Sequence, residues 1–261
     1  MLGAIAGDLV GSRFEARPTK SKDFQLITPQ CRITDDSVLS LAVAQSLMED
    51  IPYAENLKAF YRRYPRAGYG GNFMLWAASG ESEPYHSFGN GSAMRVSPVG
   101  WHLNSEENVL REAEQSAAVT HNHPEGIKGA QSVALALFRA RQERGKERIK
   151  QEIEERFAYD LSRSLRDIRP GYSFDVTCQG SVPEALIAFL EAKDFEDALR
   201  NAVSLGGDSD TQACIAGAVA EAFFGEIPAS LREAVFRELD AFQADILQRF
   251  LQQTQGTTRP C

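Results

Sequence analysis

The 261-residue sequence has few cysteines: four, at positions 31, 178, 214 and 261, with no C-x-x-C pair among them. That spacing excludes a disulfide framework and a thiolate zinc site, and it reads as free thiols in a reducing cytoplasm. Long apolar runs are missing as well, since nothing approaches the ~20 residues of a membrane helix. The opening stretch, residues 1–10, is apolar but contains Asp8 and has no basic segment ahead of it, so no signal peptide is expected. No stretch alternates with period two through β-branched residues, which removes the βαβ unit and any Rossmann or P-loop argument. Positive charge is in the minority, 28 Lys and Arg against 36 Asp and Glu, for a net charge of −8. Such a chain is not expected to bind nucleic acid broadly, or an anionic membrane. A small phosphate-bearing ligand stays open, because bound divalent cations can invert the local field.

Helical periodicity is what the sequence has in abundance. Leu2, Ile5, Ala6, Leu9 and Val10 form the stripe of a buried helix face, and Val38, Leu39, Leu41, Ala42, Ala44 and Leu47 repeat it over 37–49. Further helices are expected over 131–144, from Pro183 in a first turn to Ala192, and over 195–204 behind an Asp194 cap. The segment 211–224 is rich in small residues, stops at Gly225, and should pack closely on more than one side. Two amphipathic helices fill 229–251. Glycines cluster at 68–71, 89–91 and 206–207, between helices, and read as loops facing a shared site. Residues 1–251 therefore form one all-α domain, a compact orthogonal helical bundle, followed by a polar tail over 252–261. A monomer is expected.

Two short segments carry the same chemistry. Thr34-Asp35-Asp36-Ser37 and Asp208-Ser209-Asp210-Thr211 each open a helix with two carboxylates and a threonine hydroxyl. Taken singly, either is a helix cap with acids placed at the positive end of the dipole. Taken together they supply four carboxylates, which would repel in one cleft unless cations sat between them. Hard oxygen donors suit Mg²⁺ or Mn²⁺, so a dinuclear centre is favoured.

Three other segments are candidates for the rest of a site. Gly3, Gly7 and Gly11 recur every four residues, the spacing for close helix approach; Asp8 on that helix needs a partner if buried, and Glu15 ends it. In Ser87-Phe88-Gly89-Asn90-Gly91-Ser92-Ala93-Met94-Arg95 the glycines allow tight turns whose N–H groups can approach an anion, and Phe88 is either a stacking platform or core. His121 and His123 form an H-x-H pair, more simply explained by ligand hydrogen bonding or a loop role than by zinc.

In this order, GAIAGDLVGSRFE, TDDS, GNGSAMR and GGDSDT resemble the motifs of the ADP-ribosylglycohydrolases, over residues 2–225. The resemblance implies an all-helical fold with a cleft for two Mg²⁺ or Mn²⁺ ions and hydrolytic removal of ADP-ribose from a modified acceptor. It implies Thr34, Asp35 and Asp36 as ligands from one side, and Asp208, Asp210 and Thr211 from the other. Glu15 matches the mobile catalytic glutamate of the serine-linked branch. Ser87, Phe88, Gly89, Asn90 and His121 match the ADP-ribose pocket, with Phe88 near the adenosine half, and the loop containing Gly70 matches its diphosphate side. Ser37 departs from the more usual threonine but keeps the hydroxyl. The general base of the arginine-linked branch has no placed counterpart; Glu81 and Glu83 lie loosely nearby.

Other all-helical metal enzymes fit poorly. An Asp-Asp-x-x-Asp/Glu run, as in terpenoid synthases, is broken by Ser37, Val38 and Leu39, and no His-Asp dyad exists for a phosphohydrolase of that type. The alternative from another class is a catalytically silent ADP-ribose-binding module, against which the intact acidic clusters and Glu15 weigh.

Overall fold

The computed structural model describes residues 1–142 and 145–254. Those residues form fifteen helices and no β-strand. The first four are α1 (Leu2–Glu15), α2 (Asp35–Glu49), α3 (Tyr53–Arg63) and α4 (Gly71–Ala78). Two short helices, α5 (Gly91–Met94) and α6 (Ser97–His102), lead to α7 (Glu106–Ala118), α8 (Pro124–Arg141) and α9 (Lys146–Phe157). After α10 (Leu165–Ile168) come α11 (Cys178–Leu190), α12 (Phe195–Val203), α13 (Ser209–Phe224), α14 (Ala229–Glu238) and α15 (Ala241–Thr254). None is long and apolar enough to cross a membrane.

The architecture turns on α1 and α13, which pack more extensively than any other pair. The cause is the small-residue spacing read in the sequence. A Cβ on Gly3 would stand 2.3 Å from the Gly217 carbonyl oxygen, one on Gly7 2.0 Å from that of Ala213, and one on Gly11 2.3 Å from that of Ser209. No side chain fits at these points. As the glycine number rises the partner number falls, so the two helices run antiparallel. The end of α1, with Glu15, is thereby set beside the start of α13, with Asp208 and Asp210.

Caps explain several of the boundaries. Thr34 caps α2, its side chain accepting from the Asp36 N–H at 3.3 Å. Asp194 caps α12 as expected, accepting from Asp197 N–H at 2.7 Å, and Gly225 ends α13 in the left-handed region at φ 75°. Two expected starts are corrected. Helix α8 begins at Pro124, where a fixed φ suits the first position and His123 caps. Helix α11 begins at Cys178, because Thr177 accepts from Gly180 N–H at 3.1 Å, so Pro183 lies inside the helix and not in its first turn. The carbonyl that Pro183 leaves without a donor is that of Gln179, an exposed residue open to water.

Helix α15 runs to Thr254, which is buried, three residues past the expected end of the helical domain at residue 251. The rest of that tail, 255–261, and the end of the expected 131–144 helix, 143–144, lie outside the described residues. Cys31, Cys178 and Cys214 are free and buried.

Candidate active site

The N-termini of α2 and α13 bring the two acidic segments to one cavity of about 390 Å³. Asp35, Asp36, Asp208, Asp210 and Thr211 all line it, and Glu15 reaches it from the end of α1. The two segments touch: Thr211 Oγ1 donates to Asp36 Oδ2 at 3.3 Å. Oxygens of Asp8, Asp36 and Asp210 lie within 4.8 Å of one another, as do oxygens of Glu15, Asp208 and Asp210. Asp210 belongs to both groups.

Asp8 is fully buried beneath this cluster, and all of its partners come from the α2 terminus. Thr34 donates to it twice, from N–H at 2.9 Å and from Oγ1 at 2.7 Å; Ser37 donates from N–H at 3.1 Å and from its hydroxyl. The acid read as needing a partner thus fixes the segment that follows it by about 26 residues. Thr34 is committed to this contact and to its cap, and it does not reach the cavity wall. Asp208 occupies the cap position of α13 but accepts no capping hydrogen bond. Its Oδ2 instead accepts from Asn90 Nδ2 at 2.8 Å.

Electrostatics make the cluster unstable as a set of bare carboxylates. Burial, then the charge of Asp210, holds the carboxyls of Asp8, Asp35, Asp36 and Asp208 above the usual carboxylate range. Glu15, at the exposed rim, is raised by partial burial and by Asp210, with Arg32 opposing. Asp36 Oδ1 is buried with no hydrogen-bond partner. A folded protein rarely tolerates such an atom, because desolvating an unpaired charge costs several kcal/mol, on the order of 3–5. Oxygen-only donors, mutual repulsion and an orphaned carboxylate oxygen all fit a hard divalent cation.

The remaining wall comes from loops. Gly68 (φ 106°), Gly70 and Gly71 line one side; Ser87, Gly89, Asn90, Gly91 and His121 line another. The 87–90 turn is tied to the segment before α11 by Asn90 N–H to Val176 O (2.7 Å) and Cys178 N–H to Phe88 O (2.9 Å). Those bonds bring Phe174 and Val176 into the wall, both exposed, together with Tyr85. Phe88 is not brought in: it is 45% exposed and its ring packs on His123 at 5.3 Å. Nor do Gly206 and Gly207 reach the cavity; they sit against Lys20 and Tyr172. Glu81 and Glu83 are exposed and outside it.

Sequence reasoning did not assign roles to Asp8, Tyr85, Arg95, Phe174 or Val176. Asp8 had a signal, a lone acid in an apolar helix, and Arg95 closes a motif already singled out. Phe174 and Val176 had none, since only the pairing of residue 89 with residue 177 puts their loop at the cleft.

With this geometry the chain can be set beside known proteins. The family description ADP-ribosylglycohydrolase matches residues 1–258. ADP-ribosylhydrolase ARH3 of Mus musculus is 26% identical over 97% of this chain and 91% of its own length. ADP-ribosylarginine hydrolase Tri1 of Pseudomonas putida (strain GB-1) is 25% identical over 86% of this chain and 69% of its own. The solved structure of an ADP-ribosylglycohydrolase-related protein complex superposes with a TM-score of 0.72 at 26% identity, covering 97% of this chain and 96% of that one. The acidic cleft lies within a match that takes in every described residue, and the chain belongs to the ADP-ribosylglycohydrolase family, as an ADP-ribosyl hydrolase acting on glycosyl bonds.

Proposed function

We propose that the cleft is a divalent-metal-dependent hydrolytic site that releases ADP-ribose from a modified acceptor. The observation that carries this reading is Asp210, shared by two carboxylate groups that each span less than 4.8 Å. Two Mg²⁺ or Mn²⁺ ions would be held by Asp35, Asp36, Asp208, Asp210 and Thr211, with Asp8 and Thr34 bracing the α2 side from behind. Bound there, the cations supply positive charge that orders ribose hydroxyls and favours deprotonation of nearby water.

The side chains do the rest. Water attacks the anomeric carbon, the bond from that carbon to the acceptor breaks, and the acceptor leaves with the electron pair. Glu15, its carboxyl raised by partial burial and by Asp210, takes the proton from the attacking water and can return one to the leaving group. The buried carboxylates stabilise the positive charge that develops on the ribose. Gly70, Ser87, Gly89, Asn90 and His121 hold the ADP moiety, and Phe174 offers an exposed aromatic face at the cavity for the base.

The acceptor is the finer question. The name of the Pseudomonas relative points to arginine, whereas the glutamate at position 15 matches the serine-linked branch. Purified chain incubated with serine-linked and arginine-linked ADP-ribosylated peptides, scored for free ADP-ribose, decides between them; binding of ADP-ribose without release from either would favour the silent binding module.

A further inference from the structure

Arg95 is an unusual residue to find under this cleft. It is 0% exposed, yet its Nε and Nη1 have no hydrogen-bond partner. Only Nη2 is engaged, donating to Ser116 O at 3.1 Å and to Thr120 Oγ1 at 2.8 Å. A half-satisfied buried guanidinium is a poor stabiliser, and an apolar side chain of that volume would fill the space more cheaply. Arg95 lines the cavity without exposed surface, and its one hydrogen-bonded path toward the cleft runs through Thr120.

Thr120 Oγ1 lies 2.7 Å from His121 Nδ1. Donor arithmetic and distance together give the direction of that bond. A guanidinium only donates, so Thr120 Oγ1 accepts from Arg95 and keeps its own hydrogen to give. Two groups can take it, His121 Nδ1 and the neighbouring Tyr85 phenol, and the 2.7 Å contact to Nδ1 is the hydrogen bond that forms. Nδ1 is therefore unprotonated, and in a neutral imidazole the proton sits on Nε2. Burial, then the Arg95 charge, depresses the His121 pKa, which keeps the ring neutral. Nε2 makes no hydrogen bond to a described residue and faces the 89–91 turn: a Cβ on Gly91 would come within 3.2 Å of it. Tyr85 stands edge-on to the same ring at 5.9 Å, and its phenol, raised in pKa by burial, keeps its own proton.

We propose that Arg95, acting through Thr120, is a positioning residue that locks His121 in its Nε2–H form, so that His121 gives the cleft a neutral donor aimed at a ligand oxygen that can only accept, as a phosphoryl oxygen does. The part played by the ligand rests on the functional reading above; the relay itself does not. A donor of this kind discriminates against groups that must donate, and it takes no part in proton transfer.

Side-chain ¹⁵N NMR of His121 in the full chain reads the tautomer directly, and calorimetry with ADP-ribose reads its consequence. Wild type should show protonated Nε2 and bare Nδ1 near neutral pH. Thr120→Val, which keeps shape and removes the hydroxyl, should lose that single-tautomer signature and bind ADP-ribose about tenfold more weakly, as expected for one hydrogen bond to a charged oxygen. Thr120→Ser should restore both. His121→Gln, whose amide N–H stands where Nε2–H does, should bind more tightly than His121→Asn. Protonated Nδ1 in wild type, or a Thr120→Val protein with unaltered tautomer and affinity, would overturn the relay. A wild-type protein with the Nε2–H form and no affinity for ADP-ribose would overturn the ligand assignment and leave the relay standing.

Discussion

The hydroxyl of Thr211 donates to Asp36 across 175 residues of sequence, at 3.3 Å. Two acidic segments that each read as an ordinary helix cap are thus one cluster. Asp36→Ala and Asp210→Ala each remove a group from the core of that cluster, and Asp210 is common to both carboxylate sets. Calorimetric titration of the metal-stripped protein should show Mg²⁺ or Mn²⁺ uptake that collapses in both variants. Uptake like that of wild type in the Asp210 variant would remove the basis for a shared centre.

The pH dependence follows from the raised carboxyls. Asp8, Asp35, Asp36 and Asp208 bind protons more tightly in the folded state than in the unfolded chain, where the carboxyl value is ~4. Their contribution to stability is fully present below that value and is lost as pH rises through the folded values. With chelator, the melting temperature should therefore fall between about pH 5 and 8. Cations compete with the same protons, so the rise in melting temperature on adding Mg²⁺ should grow over that range. At a hundredfold excess over the dissociation constant it corresponds to ~2.7 kcal/mol. An increment independent of pH would count against cation binding at these groups.

How much of this was legible in the sequence depends on how local each feature is. The helices, the 3-7-11 glycine spacing and both acidic clusters are carried by neighbouring residues, and periodicity or capping chemistry reveals them. The start of α11 was misplaced because Pro183 is a strong local signal, yet the Thr177 cap and a solvent-facing Gln179 carbonyl outweighed it. Phe88 is adjacent to cavity residues and points elsewhere, while Phe174 enters through a backbone pairing 85 or so residues away that no local pattern encodes. The buried ring of donors around Asp8 could be anticipated only as a need for partners.

Aromatic recognition of the base separates the two phenylalanines. Base-on-aromatic contacts contribute roughly 1–3 kcal/mol in single-strand binding proteins. Phe174→Ala should weaken ADP-ribose binding by about tenfold or more, with Phe174→Tyr tolerated, and Phe88→Ala should have the smaller effect. The reverse order would put the base against the 88–123 ring pair.

The α1–α13 seam ties fold to site. Gly7→Ala places a methyl 2.0 Å from the Ala213 carbonyl oxygen, and forcing the helices apart should lower stability by ~1–3 kcal/mol. Because the same seam sets Glu15 beside Asp208, metal affinity should fall with it. Chemical denaturation and calorimetry on one preparation read both; a variant as stable as wild type would show that the helices are free to separate.

Glycosyl-bond cleavage in this cleft, with cations held by its acids and Glu15 as base, is read out by ADP-ribose release from a modified peptide, with Mg²⁺ and then with chelator, using wild type and Glu15→Gln. Release should need the cation, and Glu15→Gln should lose at least ~10²-fold in turnover with near-normal ADP-ribose affinity. Equal release in chelator, or full turnover by Glu15→Gln, would contradict this mechanism.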